Sequence, residues 1–221
     1  MSVITIERKV LEKNDVIASA NRAVFARHGV FAINLVSSPG AGKTTLLERT
    51  IEGLRDRLPI GVIEGDVHTD LDAQRVARFG VPVVQIVTNG GCHLEARLVA
   101  DALERLDSAV LKPGLLVIEN VGNLVCPANY DLGEAMKVVV LSTTEGDDKP
   151  LKYPAMFRNA SALVINKIDL LPYINADVET IRRNACLTNS GLTIFETSAT
   201  TGAGIPAWCD WLAAKAVAVH A

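Results

Sequence analysis

Phe31-Ala32-Ile33-Asn34-Leu35-Val36-Ser37-Ser38-Pro39-Gly40-Ala41-Gly42-Lys43-Thr44-Thr45-Leu46-Leu47 is the stretch on which the reading of the fold turns. Its apolar opening reads as a buried strand, which passes without a spacer into a glycine-bearing turn and then into the apolar spacing of a helix. A strand, a tight loop and a helix with Gly-x-Gly-Lys-Thr at the corner form a phosphate-binding loop. Gly40 and Gly42 let backbone N–H groups turn toward phosphate oxygens, and the helix N-terminus adds a favourable dipole. Lys43 reaches the β/γ-phosphates and the Thr44 hydroxyl can ligate Mg²⁺, so Ser37, Ser38, Pro39, Gly40, Ala41, Gly42, Lys43, Thr44 and Thr45 are assigned to the phosphate ligand. Ser37 stands where the pattern calls for its first glycine, so the loop must accept a Cβ there.

Outward from this loop, Val- and Ile-rich runs alternate with helical patterns. Strands are predicted at Phe31–Val36, Ile60–Glu64, Pro82–Val87, Leu115–Glu119, Lys137–Ser142, Ala162–Asn166 and Leu192–Glu196. Amphipathic segments at Lys43–Arg57, Leu94–Leu106 and Val178–Leu187 lie between them. Near-continuous apolar strands separated by helices imply a sheet covered on both faces. The fold class is therefore α/β, a P-loop NTPase with a doubly wound, mostly parallel sheet. Val10, Ile17, Ala20 and Val24 recur at helical spacing with Gly29 as the stop, so residues 1–29 read as a leading N-terminal helix. The Trp208/Trp211 pair gives a final helix something to bury.

The bulk properties narrow the function. The 221 residues, 49% hydrophobic, bury one substantial core, and one domain spanning residues 1–221 is expected. A net charge of −3 with scattered Lys and Arg gives no footprint for nucleic acid. No stretch approaches the about 18 apolar residues that span a bilayer, so a cytoplasmic protein without membrane contact is expected. Four cysteines, unevenly spaced, argue against a disulfide framework.

Asn166-Lys167-Ile168-Asp169 ends the sixth strand and looks like the base-specificity motif of GTPases. A carboxylate at Asp169 accepts from guanine N1 and the exocyclic amine, a pairing adenine cannot make. Thr197-Ser198-Ala199 resembles the loop that backs the guanine, which places Ser198 and Ala199 at the base. GTP or GDP with Mg²⁺ is the ligand this order of motifs names. Between them, Glu64-Gly65-Asp66-Val67 and Glu119-Asn120-Val121-Gly122 leave strands at the same edge as the phosphate loop. Asp66 and Glu119 are candidate ligands for Mg²⁺ or its waters, and Gly122 is placed to donate its N–H to a γ-phosphate. Asp70 either orients the attacking water or caps the helix after it.

Cys92-His93 and Cys126 occupy loops at that edge too. Two thiolates and an imidazole suit Zn²⁺ or Ni²⁺, and three ligands leave a site to be finished by water or by a symmetry mate. On spacing alone, packing cysteines explain the pattern equally well. Cys126 stands four residues past Gly122, so loss of a γ-phosphate that moves the loop would move a metal ligand. Cys186 and Cys209 lie in helical patterns among apolar neighbours, and core burial is expected for both.

Taken together, the phosphate loop, Gly91-Cys92-His93-Leu94, Glu119 to Pro127, Thr144 to Lys149 and Asn166 to Asp169 resemble the hydrogenase nickel-incorporation GTPase family, HypB. The resemblance implies a GTPase that forms a nucleotide-dependent homodimer and binds Ni²⁺ or Zn²⁺ through Cys92, His93 and Cys126 near the dimer interface. It also implies work with the partner HypA to load nickel into the large subunit of [NiFe] hydrogenase. The amino-terminal Cys-x-x-Cys-Gly-Cys site and the His-rich stretch of some members do not occur in this sequence. A urease-type nickel GTPase would carry Cys-Pro-His, whereas here Cys92-His93 and Cys126-Pro127 are separate. A scaffold GTPase without metal and a P-loop kinase are the readings from other classes, and Asn166 to Asp169 argues against the kinase.

Overall fold

The computed structural model describes residues 6–106 and 112–218; Met1–Thr5 of the leading segment lie outside the described residues. Its centre is a seven-stranded sheet in the order β3-β2-β4-β1-β5-β6-β7. The strands are β1 (Val30–Ser37), β2 (Ile60–Asp66), β3 (Val83–Val87), β4 (Gly114–Glu119), β5 (Met136–Ser142), β6 (Ala162–Asn166) and β7 (Thr193–Glu196). Every pairing is parallel, so the carboxyl ends of all seven strands share one edge. The sheet is thus wholly, rather than mostly, parallel. Each predicted strand is present within two residues of its expected ends.

Alternation along β1 shows how both faces are sealed. Phe31, Ile33 and Leu35 enter one core with Leu46, Leu47 and Ile51 of α2 (Lys43–Leu54) and Trp208 and Leu212 of α8 (Ile205–Ala218). Val30 and Ala32 enter the opposite core, beneath Phe25 of α1 (Ile6–His28) and Val99 and Leu103 of α4 (Ala96–Leu103). Val36 joins a third cluster under Phe157 and Ile181, carried by α6 (Pro154–Arg158) and α7 (Val178–Thr188). Period-two side chains on a strand buried on both sides require this division. Two short helices, α3 (Leu71–Ala77) and α5 (Lys149–Lys152), complete the layers. Among the described residues, no helix is long and apolar enough to cross a membrane.

The leading helix ends at His28, before Gly29 at φ 65°, as its pattern predicts. It is fixed by polar groups as well as by Phe25. Asn14 accepts from the Ala96 amide at 2.8 Å and donates to the Asp131 carbonyl at 2.7 Å, and Asn21 donates to the Ala96 and Leu132 carbonyls at 2.8 and 3.0 Å. At the other end, the Trp208 indole donates to Thr50 Oγ1 at 2.9 Å and its ring stacks on Trp211. Cys209 is buried as expected, but Cys186 is exposed. On α7 the inward stripe is Ile181 and Ala185, and the next residue turns about 100° away from it.

Candidate nucleotide and metal site

The phosphate loop closes on itself. Gly42 is left-handed (φ 93°), and a Cβ there would fall 2.6 Å from Asn166 Nδ2, so only glycine fits between the loop and the end of β6. Ser37 turns its departure from the pattern into a contact: its Oγ accepts from Lys43 Nζ at 3.1 Å and donates to the Ser38 carbonyl at 2.6 Å. Thr44 Oγ1 donates to Glu119 Oε1 at 2.8 Å, and Lys43 Nζ lies 3.8 Å from the same oxygen. A cleft of about 520 Å³ opens over these groups, lined among others by Gly40, Lys43, Asp66, Gly122 and Lys167.

Glu64 was given no role in the sequence reading. It is buried beside Glu119, and burial first, then the Glu119 charge and a hydrogen bond to it, push its carboxyl up to about 11. Burial raises Glu119 too, although Lys43 and Thr44 pull it back toward the anion. The pair therefore shares one proton, with Glu119 the better placed to stay charged. Asp66 differs. Burial pulls its carboxyl upward, but the His68 and Thr69 amides and the Thr69 hydroxyl, all within 3.1 Å of Oδ1, outweigh that and hold it below its usual value. An acid run inside an apolar strand, Ile63-Glu64-Gly65-Asp66, was the available signal for Glu64.

Asp70 occupies the N-cap position of α3, yet its side chain makes no capping bond, and it is not among the residues lining the cleft. Asp72 and Arg75 line it instead, with Arg75 paired to Glu48 and Asp72 and reaching Thr45 Oγ1 at 3.3 Å. An arginine near the phosphate loop is thus present although no motif announced it.

At the end of β6, Asn166 is a strut. Its Nδ2 donates to the Ala41 carbonyl, while its Oδ1 accepts from Thr197 Oγ1 and the Ala199 amide, which ties the phosphate loop to the Thr197-Ser198-Ala199 loop. Ser198 is fully buried and accepts from the Thr201 amide. Lys167, at φ 64°, donates to the Gly40 carbonyl at 2.7 Å. Asp169 keeps a buried Oδ1 with no partner. In the acidic run after β5, Glu145 Oε1 accepts from the Ser142 amide and Asp147 Oδ2 from the Asp177 amide, while Glu145 Oε2 and Asp147 Oδ1 are buried without a hydrogen bond.

Cys92, His93 and Cys126 come together, with one ligand atom from each within 4.8 Å of the others. Cys92 Sγ lies 3.5 Å from His93 Nδ1. A hydrogen bond with Cys126, then burial and the Cys126 charge, push the Cys92 thiol up, whereas burial pushes the His93 imidazole down against a weaker pull from Glu95. Two facing thiols and a neutral imidazole with an orphaned buried Nε2 are a donor set that a soft or borderline divalent cation fits. Tyr130 packs on His93 with ring centroids 4.0 Å apart.

Residues 31–196 match the family described as CobW/HypB/UreG, nucleotide-binding domain. The chain is 54% identical to the hydrogenase maturation factor HypB of Azotobacter vinelandii over 95% of its length and 69% of the relative's. It also superposes on HypB of Archaeoglobus fulgidus (TM-score 0.86, 41% identity, 93% of this chain and 100% of that one). The chain belongs to the HypB family. A structure of HypB from Helicobacter pylori in complex with nickel is equally similar to it, with a TM-score of 0.88 and 39% identity over 92% of this chain and 95% of that one. The family model describes a nucleotide-binding domain, and the residues that line the cleft over Lys43 all lie within the matched stretch.

Proposed function

We propose that this HypB-family chain is a GTP-hydrolysing metallochaperone that couples nucleotide state to the binding and delivery of nickel during [NiFe] hydrogenase maturation. The observation that carries the proposal is that one segment, Glu119 to Cys126, bears Glu119 and Gly122 in the nucleotide cleft and a thiol of the Cys92/His93/Cys126 cluster.

Each group has a part. Asp169, with its orphaned oxygen, accepts from the guanine edge, and Lys167 holds the phosphate loop from the same side. Lys43 neutralises the β/γ-phosphates, and the Gly122 amide stabilises the γ-phosphate. Thr44, Asp66 and Glu119 supply the oxygens for Mg²⁺, and the unpartnered buried Oε2 of Glu119 fits a hard cation. When bound, Mg²⁺ offsets charge developing on the phosphates. Ni²⁺ is the cargo of Cys92, His93 and Cys126, with Zn²⁺ competing for the same donors. Three ligands from one chain leave room for water or a second copy, so the proposal includes a nucleotide-dependent homodimer, with HypA and the hydrogenase large subunit as partners and the cytoplasm as the place of work.

Nickel titration of the purified protein with GDP and with a non-hydrolysable GTP analogue, alongside its oligomeric state, tests this. Affinity or stoichiometry should change with nucleotide and the change should vanish in Cys92→Ala. Identical nickel binding in both states would reduce the protein to a guanine-nucleotide switch with structural cysteines.

A further inference from the structure

We propose that Asn120 couples the nucleotide cleft to the Cys92–His93 arm of the metal cluster. The inference rests on the nucleotide-gated metal reading above and adds the residue through which the second arm is gated.

The two arms are attached to the cleft differently. Cys126 is joined to Gly122 by four residues of chain, so it follows any movement of that loop directly. Cys92 and His93 sit after β3, on a different loop. Asn120, 1% exposed, bridges the gap. Its Oδ1 accepts from the Leu94 amide at 3.0 Å and from the Val121 amide at 3.0 Å. Leu94 is bonded to His93, and Val121 to Gly122. One oxygen thus holds the neighbour of a metal ligand and the neighbour of the γ-phosphate donor. Nδ2 donates to Asn34 Oδ1 at 3.2 Å and the backbone amide donates to the Leu35 carbonyl at 2.9 Å, which anchor the bridge in β1 just before the phosphate loop.

The Leu94 end has little freedom. Leu94 is fully buried, and a Cβ on Gly65 would lie 2.8 Å from its side chain, so it is seated where β2 lacks a side chain between Glu64 and Asp66. Both amide hydrogens on Oδ1 are buried and need an acceptor. A shift of Val121 toward a phosphate therefore pulls on an oxygen that Leu94 also requires, and the arm must follow or lose its bond. Such a two-sided contact is what energetic coupling between neighbouring sites requires.

The experiment is a nickel titration against a chelating dye, with GDP and with a non-hydrolysable GTP analogue, for the unaltered protein, Asn120→Ala and Asn120→Asp. In the unaltered protein the two nickel affinities differ. In Asn120→Ala their ratio falls to about one while GDP affinity and nickel affinity in the GDP state persist. Asn120→Asp keeps an acceptor for both amides but gives up the donor to Asn34, and its ratio stays above that of Asn120→Ala. A ratio preserved in Asn120→Ala overturns the assignment, and so does equal loss of nickel in both states, which would make Asn120 a structural prop. No ratio in the unaltered protein overturns the nucleotide-gated reading itself. Amide exchange at Leu94 in the unaltered protein covers failure of the alanine variant to fold: protection that differs between nucleotides supports the coupling, and identical protection overturns it.

Discussion

Glu64 and Glu119 are register partners in β2 and β4, and both carboxyls are buried against each other beside Lys43. Two acids in one dry site cannot both ionise cheaply, so the nucleotide-free protein carries a proton there at neutral pH. Lys43 and Thr44 bond or approach Glu119, which leaves Glu64 as the natural holder of that proton.

Glu64→Gln tests this. Because the folded value of Glu64 is raised to about 11, its contribution to stability is complete below the usual carboxylate range and is lost as pH rises toward that value. Unfolding of the nucleotide-free protein by urea should thus give stabilities that fall with rising pH, by at most about 1.4 kcal/mol per pH unit for one proton. Glutamine cannot ionise, so the variant's curve should be flatter; parallel curves would show that Glu64 is not the group.

Lys137 is a second buried charge with a positional job. From β5 its Nζ donates to the carbonyls of Pro127, Ala128 and Tyr130, bracing the turn that follows Cys126, and Asn159 adds a bond to Ala128. Lys137→Met should lower stability by about 2–3 kcal/mol and weaken nickel binding, with GDP affinity intact. An unchanged melting temperature would remove the brace from the account.

Arg22 on α1 holds Asp131 by two bonds of 2.8 and 2.7 Å. Burial pulls the Asp131 carboxyl upward, but the Arg22 bond and the Gly133 amide outweigh it and the folded value lies below the usual 3.8. The stabilisation is therefore present above that value and lost as pH falls through the depressed one. Arg22→Ala should cost less than about 1 kcal/mol at pH 7, since both side chains are partly exposed, and nothing once Asp131 is protonated in strong acid. A difference in urea midpoint that persists unchanged into strong acid contradicts the assignment.

Asp169→Asn should exchange nucleotide preference. An amide cannot accept both hydrogens of the guanine edge, but its NH₂ can meet the extra carbonyl of xanthine. GTP affinity should drop by about 100-fold or more and xanthosine triphosphate should gain. Competition binding with the two nucleotides decides it; unaltered GTP affinity would mean that Asp169 does not touch the base.

The strands were legible because a sheet buried on both faces demands unbroken apolar runs, and Ala162–Asn166 needed no tertiary information. Helix ends were less so: Lys43–Arg57 stops at Leu54, where the chain turns toward Pro59. The Cys92, His93 and Cys126 cluster could be listed from residue types, but its closure depends on the parallel order that brings the β3 and β4 loops to one edge. What remained hidden were polar residues whose partners lie far along the chain. Asn14 reaches residues 82 and 117 positions away, and Asn120 and Asn34 meet across 86. Nothing local distinguishes such an asparagine from a turn residue, and Cys186 was misread because two adjacent helix positions differ in facing rather than in neighbours.

The strand order also bears on how the protein is made. β1 emerges from the ribosome first among the strands, yet its sheet neighbours are β4 and β5, so it waits unpaired while residues 38–113 are synthesised. Cys92 and His93 leave the ribosome ahead of Cys126, and the three meet only after β4 has inserted between β2 and β1. A nascent chain thus carries Cys92 and His93 before Cys126 has been made, and the folded arrangement of the three comes last. The same insertion puts Glu119 beside Thr44, so the Cys92/His93/Cys126 cluster and the cleft over Lys43 are completed in one folding event.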